Sequence, residues 1–349
     1  MLWSGAPGEM GPGHQADSEV GMAITAVPVP ESRPSRRGLF VRIGLSLVML
    51  ALLIDRVPRL SSLSPTWDRR AAFWIAGALA VTLLGIVLSA VRWHQVASAL
   101  GLRPKMRALV SHYLAGQFVS NFLPSTIGGD VLRVSRLSAA SGGEGPRSFA
   151  SVVLERLTGW LVLPVITLAG LAINPGLFEF GSSTRIALIL AIGTLVGLFT
   201  ILALALHPKV GGRLADRDGW QRFLGAVHYG LDQLRHNPHA MIVVIAVGFA
   251  YQLSVVVAAI MATEAIGLGV GPTAIIAFMP AVAIAQVLPI SFGGLGVREG
   301  AFVLFLHPLG VPTAEAITLG LLVYALNLTV SLLGAPAFAT GSRPVRAAA

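Results

Sequence analysis

The chain has 349 residues, 54% hydrophobic and only 12% charged, with a formal net charge of +9 and no cysteine. Soluble domains average about 25% charged residues, so this composition, with a mean hydropathy of +0.76, excludes an ordinary soluble globule and leaves no polar stretch long enough for a separate soluble catalytic domain. The missing cysteines exclude disulfides, thiol nucleophiles and cysteine-ligated metals. The basic residues stand in short connections beside apolar segments, which suits anionic lipid headgroups rather than nucleic acid.

Residues 1–38 are rich in Gly, Pro, Ser and charge and read as a disordered tail. They lack the early basic and apolar runs of a signal peptide. Strong apolar segments follow at 39–54, 71–91, 149–173, 185–206, 240–262 and 316–336. They predict an all-α polytopic membrane protein with about six full spans. Two more apolar regions, 108–123 continuing past 131 and 272–289 continuing through 300–306, are each broken by a related phrase. The first phrase holds Pro124, Gly128, Gly129 and Arg133; the second, 165 residues on, holds Pro289, Gly293, Gly294 and Arg298. Proline removes a helical hydrogen bond and paired glycines permit a sharp turn. Each region therefore reads as a re-entrant helical hairpin, with a pair of kinked full spans as the alternative.

The transmembrane domain is set at 39–338, with a first half at 39–206, a linker at 207–238, a second half at 239–338 and a tail at 339–349. In the linker, Phe223, Leu224, Val227, Leu231 and Leu234 recur at helical spacing among charges, which predicts an amphipathic helix at the membrane surface. Basic residues set the orientation. Arg33, Arg36, Arg37 and Arg42, the stretches 92–107 and 133–147, the linker, and Arg343 with Arg346 all fall on one side if the hairpins return. The connections 174–184, 263–271 and 307–315 hold no Lys or Arg and fall on the other, with 55–70 the one exception. Both termini are expected in the cytoplasm, in the cell membrane. The hairpins then enter from opposite faces, as an inverted repeat requires.

Ionisable groups at membrane depth are rare unless they face a cavity or a partner. Asp130 and Arg133 are three apart after Gly128 and Gly129, so a helix there puts them on one face. Ser125 and Thr126 stand at that helix start, suited to a cap or a phosphate oxygen. Glu155 and Arg156 are adjacent on a helix and point apart, so each needs a distant mate. Asp130 suits Arg156, and Arg133 suits Glu155. Seven residues of apolar helix place this pair about 10 Å deep. Arg298 and Glu299 follow the second phrase. Glu299 has Val134 as its counterpart and Asp130 has Leu295, so the repeat is alike in backbone and unlike in chemistry. Gln117 and Asn121 share a helix face, and Gln286 and Ser291 lie in the matching region. They either line a passage or join helices, as do Tyr324 and Asn327. Arg92 with Trp93 reads as a basic–aromatic anchor at a membrane interface. No cofactor or metal site is expected.

Three stretches resemble the lysylphosphatidylglycerol synthase transmembrane-region family: Gly116 through Asn121 and Pro124 to Arg133; Glu155, Arg156 and Gly159; and Leu288 through Gly296 and Arg298 to Gly300. The likeness spans roughly 40–338. It implies a flippase-like plasma-membrane protein of inverted-repeat type with two re-entrant hairpins. In two-part members this module is linked to lipid flipping, and a following cytosolic domain makes the aminoacyl lipid. Here about a dozen residues follow the last span, so aminoacyl transfer is not expected. By motif match, Asp130, Arg133, Glu155, Arg156, Arg298 and Glu299 are the candidate functional positions. The expected activity is translocation of a phospholipid or lipid-linked envelope intermediate, anionic or polyprenyl-linked, through a polar path between the hairpins. The alternatives are a membrane enzyme modifying a lipid headgroup, for which no serine elbow, metal motif or nucleotide loop is present, and a non-transporting envelope scaffold.

Overall fold

The computed structural model describes residues 68–122, 126–207, 219–287 and 294–340, with only the backbone of 122, 126, 127 and 340. These residues are almost entirely α-helical. Helix α1 (Arg69–Ala99) leads to a pair, α2 (Met106–Phe122) and α3 (Thr126–Ala140). Then come α4 (Gly145–Ile173), a 3-10 turn and α5 (Ser182–Leu206). The amphipathic α6 (Trp220–Arg235) precedes α7 (Pro238–Ile266), a second pair, α8 (Pro272–Val287) and α9 (Val297–Leu306), and finally α10 (Thr313–Leu332) and α11 (Gly334–Thr340).

Five helices, α1, α4, α5, α7 and α10, are long and apolar enough to cross a membrane among the described residues. The expected segment 39–54 lies outside them. The ends are set by local chemistry: Asp68 caps α1 through the amide of Ala71 at 2.7 Å, and Asn237 caps α7 through Ala240 at 3.1 Å. The paired helices are shorter. At 1.5 Å per residue, the 17, 15, 16 and 10 residues of α2, α3, α8 and α9 run only about 26, 22, 24 and 15 Å. Over the described residues each is shorter than a hydrocarbon core of about 30 Å, which is consistent with hairpins that turn back.

Helices α1 and α7 form the central pair and run antiparallel. Arg70 at the start of α1 bonds Glu264 at the end of α7 at 2.8 Å, while Arg92 late in α1 lies against Gly248 and Tyr251 nearer the start of α7. Because each hairpin follows one of these helices after a short connection, the two hairpins enter from opposite ends.

The helix contacts repeat between the halves. The first hairpin packs α2 on α1 and α3 on α4; the second packs α8 on α7 and α9 on α10. Helix α8 lies along α4, and α2 lies along α10 and its continuation α11. Helix α4 is thus matched by α10 and α11 together, with a break near Leu333. The close approaches match as well. A Cβ on Gly170 would stand 2.6 Å from the Ala277 amide nitrogen, and one on Gly334 would overlap the Leu114 carbonyl. Both sites need glycine so that a spanning helix can touch hairpin backbone.

Among the described residues, helices α5 and α6 have no mate in the second half. The apolar stripe of α6 is buried against α4 and α5 through Leu224 and Val227, so this helix is part of the bundle wall. The largest apolar core surrounds the second hairpin, with Phe278 of α8 and Phe305 of α9 stacked at 5.2 Å between centroids.

Candidate functional site

Glu155 is the centre of the first charged cluster. It sits ten residues into α4, which begins at Gly145 rather than 149, so it lies about 15 Å along the helix. Its two carboxylate oxygens are shared by two arginines: Arg92 of α1 bonds one, and Arg133 of α3 bonds the other at 3.1 Å. All three side chains are nearly inaccessible, at 3% for Arg92 and Arg133 and 2% for Glu155. Asp130 joins the cluster to the outside, accepting from Arg133 at 3.3 Å and from Arg156 at 2.7 Å. Both pairings expected from the sequence, Asp130 with Arg156 and Arg133 with Glu155, are made.

Aromatic rings hold the guanidinium groups in place. Arg133 lies between Trp93 and Tyr113, at 4.3 and 4.4 Å from the ring centroids, and Arg92 lies 5.2 Å from Tyr251. Desolvated cation–π contacts of this kind contribute about 2 kcal/mol. Trp93 is itself fixed by its indole N–H, which donates to Ser151 at 3.0 Å. Glycines provide the space. A Cβ on Gly159 would come within 3.0 Å of Arg92, and one on Gly116 within 2.9 Å of Arg133. Gly129 packs so closely on Gly116 that any side chain there would overlap backbone.

Arg92 and Trp93 therefore correct the interface-anchor reading. Helix α1 runs on to Ala99, so Arg92 stands inside the bundle, where only a carboxylate can compensate its charge. Continuation of the helical pattern through 93–99 was the available signal. Tyr113 and Tyr251 gave none, because a lone tyrosine in an apolar segment usually packs without a charged mate.

The second cluster is smaller. Arg298 and Glu299 are 4% and 0% exposed, and the Nε of Arg298 donates to Glu299 at 3.1 Å. The other carboxylate oxygen accepts the Gly296 amide at 2.6 Å, capping the start of α9. Arg298 also stacks on Tyr324 at 4.7 Å. Gly294 turns the chain with φ +78°, and a Cβ there would stand 3.0 Å from the Gln286 amide oxygen. Position 320 matches Glu155 at the same 165-residue offset and is glycine. Its missing side chain makes room for Glu299, whose Cγ would lie 3.0 Å from a Cβ at Gly320. Each hairpin arginine thus has one buried carboxylate, supplied by the spanning helix in the first half and by the hairpin in the second.

Gln117 faces a small cavity at the crossing of α1 and α7, together with Asn327. Asn121 lies one turn further towards the hairpin tip, with its amide nitrogen buried and unpartnered. Gly128 is half-buried near the start of α3. Ser125, Ser291, Gly293 and the side chain of Thr126 lie outside the described residues. Among the described residues, no group of three His, Asp or Glu is placed to hold a metal ion.

A family model described as the lysylphosphatidylglycerol synthase TM region matches residues 39–334. The chain belongs to that family and is a multi-pass membrane protein. The comparison with curated proteins gives no match.

Proposed function

We propose that this family member carries the headgroup of an anionic lipid across the cell membrane, past the two hairpins, while the acyl chains remain in the bilayer. One observation carries the reading. Each hairpin arginine keeps a buried donor with no acceptor: Nε of Arg133 and Nη2 of Arg298. An unsatisfied buried donor costs about 1–3 kcal/mol, and more when charged. A phosphate oxygen relieves that cost, and arginine recognises phosphate through this type of bond. The opposed entry of the hairpins supports alternating exposure of the two arginines to the two faces. The basic connections favour both termini in the cytoplasm.

The test is a reconstituted flip assay with fluorescent anionic lipids and polyprenyl phosphates. Wild-type protein is expected to speed translocation over empty vesicles. Arg298→Ala and Arg133→Ala are expected to slow it at least about tenfold, the change that loss of one charge-assisted bond of 1.4 kcal/mol brings, with membrane insertion retained. Wild-type rates no higher than those of empty vesicles across these lipids refute the proposal.

A further inference from the structure

The charged groups around the first hairpin form one row of alternating sign: Arg156, Asp130, Arg133, Glu155, Arg92. The row runs from the surface of the bundle inward. The side chain of Arg156 is 43% exposed and that of Asp130 23%, while the inner three are nearly inaccessible. Three arginines face two carboxylates, so the row carries a net charge of +1 and has room for one more negative charge. Its spare donors lie at the inner end. Nε of Arg133 and both Nε and Nη1 of Arg92 are buried with no acceptor.

Glu155 stands between two guanidinium groups, where a phosphate would also fit. A carboxylate and a phosphodiester each present two oxygens that share one negative charge, and arginine bonds both in the same way. Glu155 divides its oxygens between Arg92 and Arg133, and Asp130 is likewise shared by Arg133 and Arg156. A phosphate oxygen that takes Nε of Arg133 satisfies a buried donor and sets a second anion beside the Glu155 carboxylate. The two then compete for one guanidinium. When Glu155 yields, its bond from α4 to α3 breaks, yet Arg92 still neutralises it. The sharing between two arginines thus lets Arg133 be exchanged without stranding a buried charge, which would be strongly unfavourable.

We infer that Glu155 is a built-in rival of the headgroup phosphate for Arg133: phosphate binding unties the first hairpin from α4, and the return of Glu155 expels the phosphate. This rests on the translocation reading and gives Glu155 a working role within that site. Arg92 is the partner that holds Glu155 while Arg133 is engaged elsewhere. Asp130 serves the outer step in the same way, since Arg156 keeps it when Arg133 lets go.

The experiment titrates wild-type protein, Glu155→Gln and Glu155→Asp with dihexanoyl phosphatidylglycerol and with dimethyl phosphate by isothermal calorimetry, and measures flip rates in proteoliposomes. Glu155→Gln is expected to bind the lipid at least about tenfold more tightly, a 1.4 kcal/mol gain. It is also expected to move lipid more slowly than wild type, because nothing expels the phosphate. Glu155→Asp keeps the charge and is expected to bind as wild type does. Equal tightening in both variants is the mark of a loosened site and overturns the inference. Unchanged or weaker binding in Glu155→Gln, with wild type still binding and moving lipid, overturns it and leaves translocation standing. No binding and no movement in wild type overturns both. Tightening for dimethyl phosphate alone assigns the rivalry to a free anion and overturns the lipid. If Glu155→Gln does not fold, Asp130→Asn decides: a smaller tightening supports the inference, and none overturns it.

Discussion

The two hairpins share a backbone and differ in what holds them. The first is fastened to the bundle by charge. Arg133 reaches Glu155 on α4, Glu155 reaches Arg92 on α1, and Asp130 reaches Arg156. Arg136 adds donors to the carbonyls of Ala337 and Phe338 at 2.9 and 3.0 Å, tying α3 to α11. The second hairpin keeps its ion pair to itself, Arg298 with Glu299, and meets the bundle through apolar packing and one ring. Moving one carboxylate from α4 to the hairpin, with glycine left at 320, turns a rivet into an internal pair. An internal pair travels with its hairpin without stranding a buried charge, whereas a rivet has to break.

The largest expected effect follows from removing a rivet. Glu155→Ala strands Arg92, leaves Arg133 with Asp130 alone, and is expected to destabilise the protein by about 3–5 kcal/mol, read as a large fall in the unfolding midpoint in detergent. Glu299→Ala strands one arginine and one backbone amide, so a smaller loss of about 1–3 kcal/mol is expected. If the two variants fall equally, the contrast between the hairpins does not hold.

A charge transplant sharpens the same point. Glu299→Val combined with Gly320→Glu rebuilds the first half's arrangement in the second and is expected to recover part of the stability lost in Glu299→Val alone. The mirror change, Val134→Glu with Glu155→Gly, is expected to recover little, because Arg92 remains without a carboxylate.

Backbone contact separates the hairpins further. Gly129→Ala forces a methyl into the Gly116 backbone and is expected to cost about 1–3 kcal/mol through overpacking. Gly294→Ala is expected to cost about 1–2 kcal/mol through its left-handed φ. The smallest effect is expected for Arg136→Ala, which removes a cation from the end of α11 and is worth about 0.3–1 kcal/mol. Its readout is faster amide hydrogen exchange confined to α11.

Much of this was legible in the chain. The spanning helices were written as apolar runs, and the hairpins as Pro and Gly-Gly interruptions at matching offsets. Asp130, Arg133, Glu155 and Arg156 stood out because charge in an apolar run must find a mate, and spacing named the right mates. Arg92 was hidden by its place near the end of an apolar run, where an arginine ordinarily reaches water. The start of α4 was placed late because Gly145, Pro146 and Arg147 begin the helix without being apolar. The exchange between Glu155 and Gly320 was invisible for another reason: a glycine in a spanning helix carries no sign of what fills its space. The cavity was equally hidden, since it is assembled from four helices distant in sequence.

The most direct test of the central claim is a high-resolution cryo-electron microscopy structure in nanodiscs containing phosphatidylglycerol. The account predicts headgroup density inside the bundle, with a phosphate oxygen bonded to the spare guanidinium donor of Arg298 or Arg133. Clear side-chain density at both arginines with lipid confined to the outer surface of the bundle would contradict it.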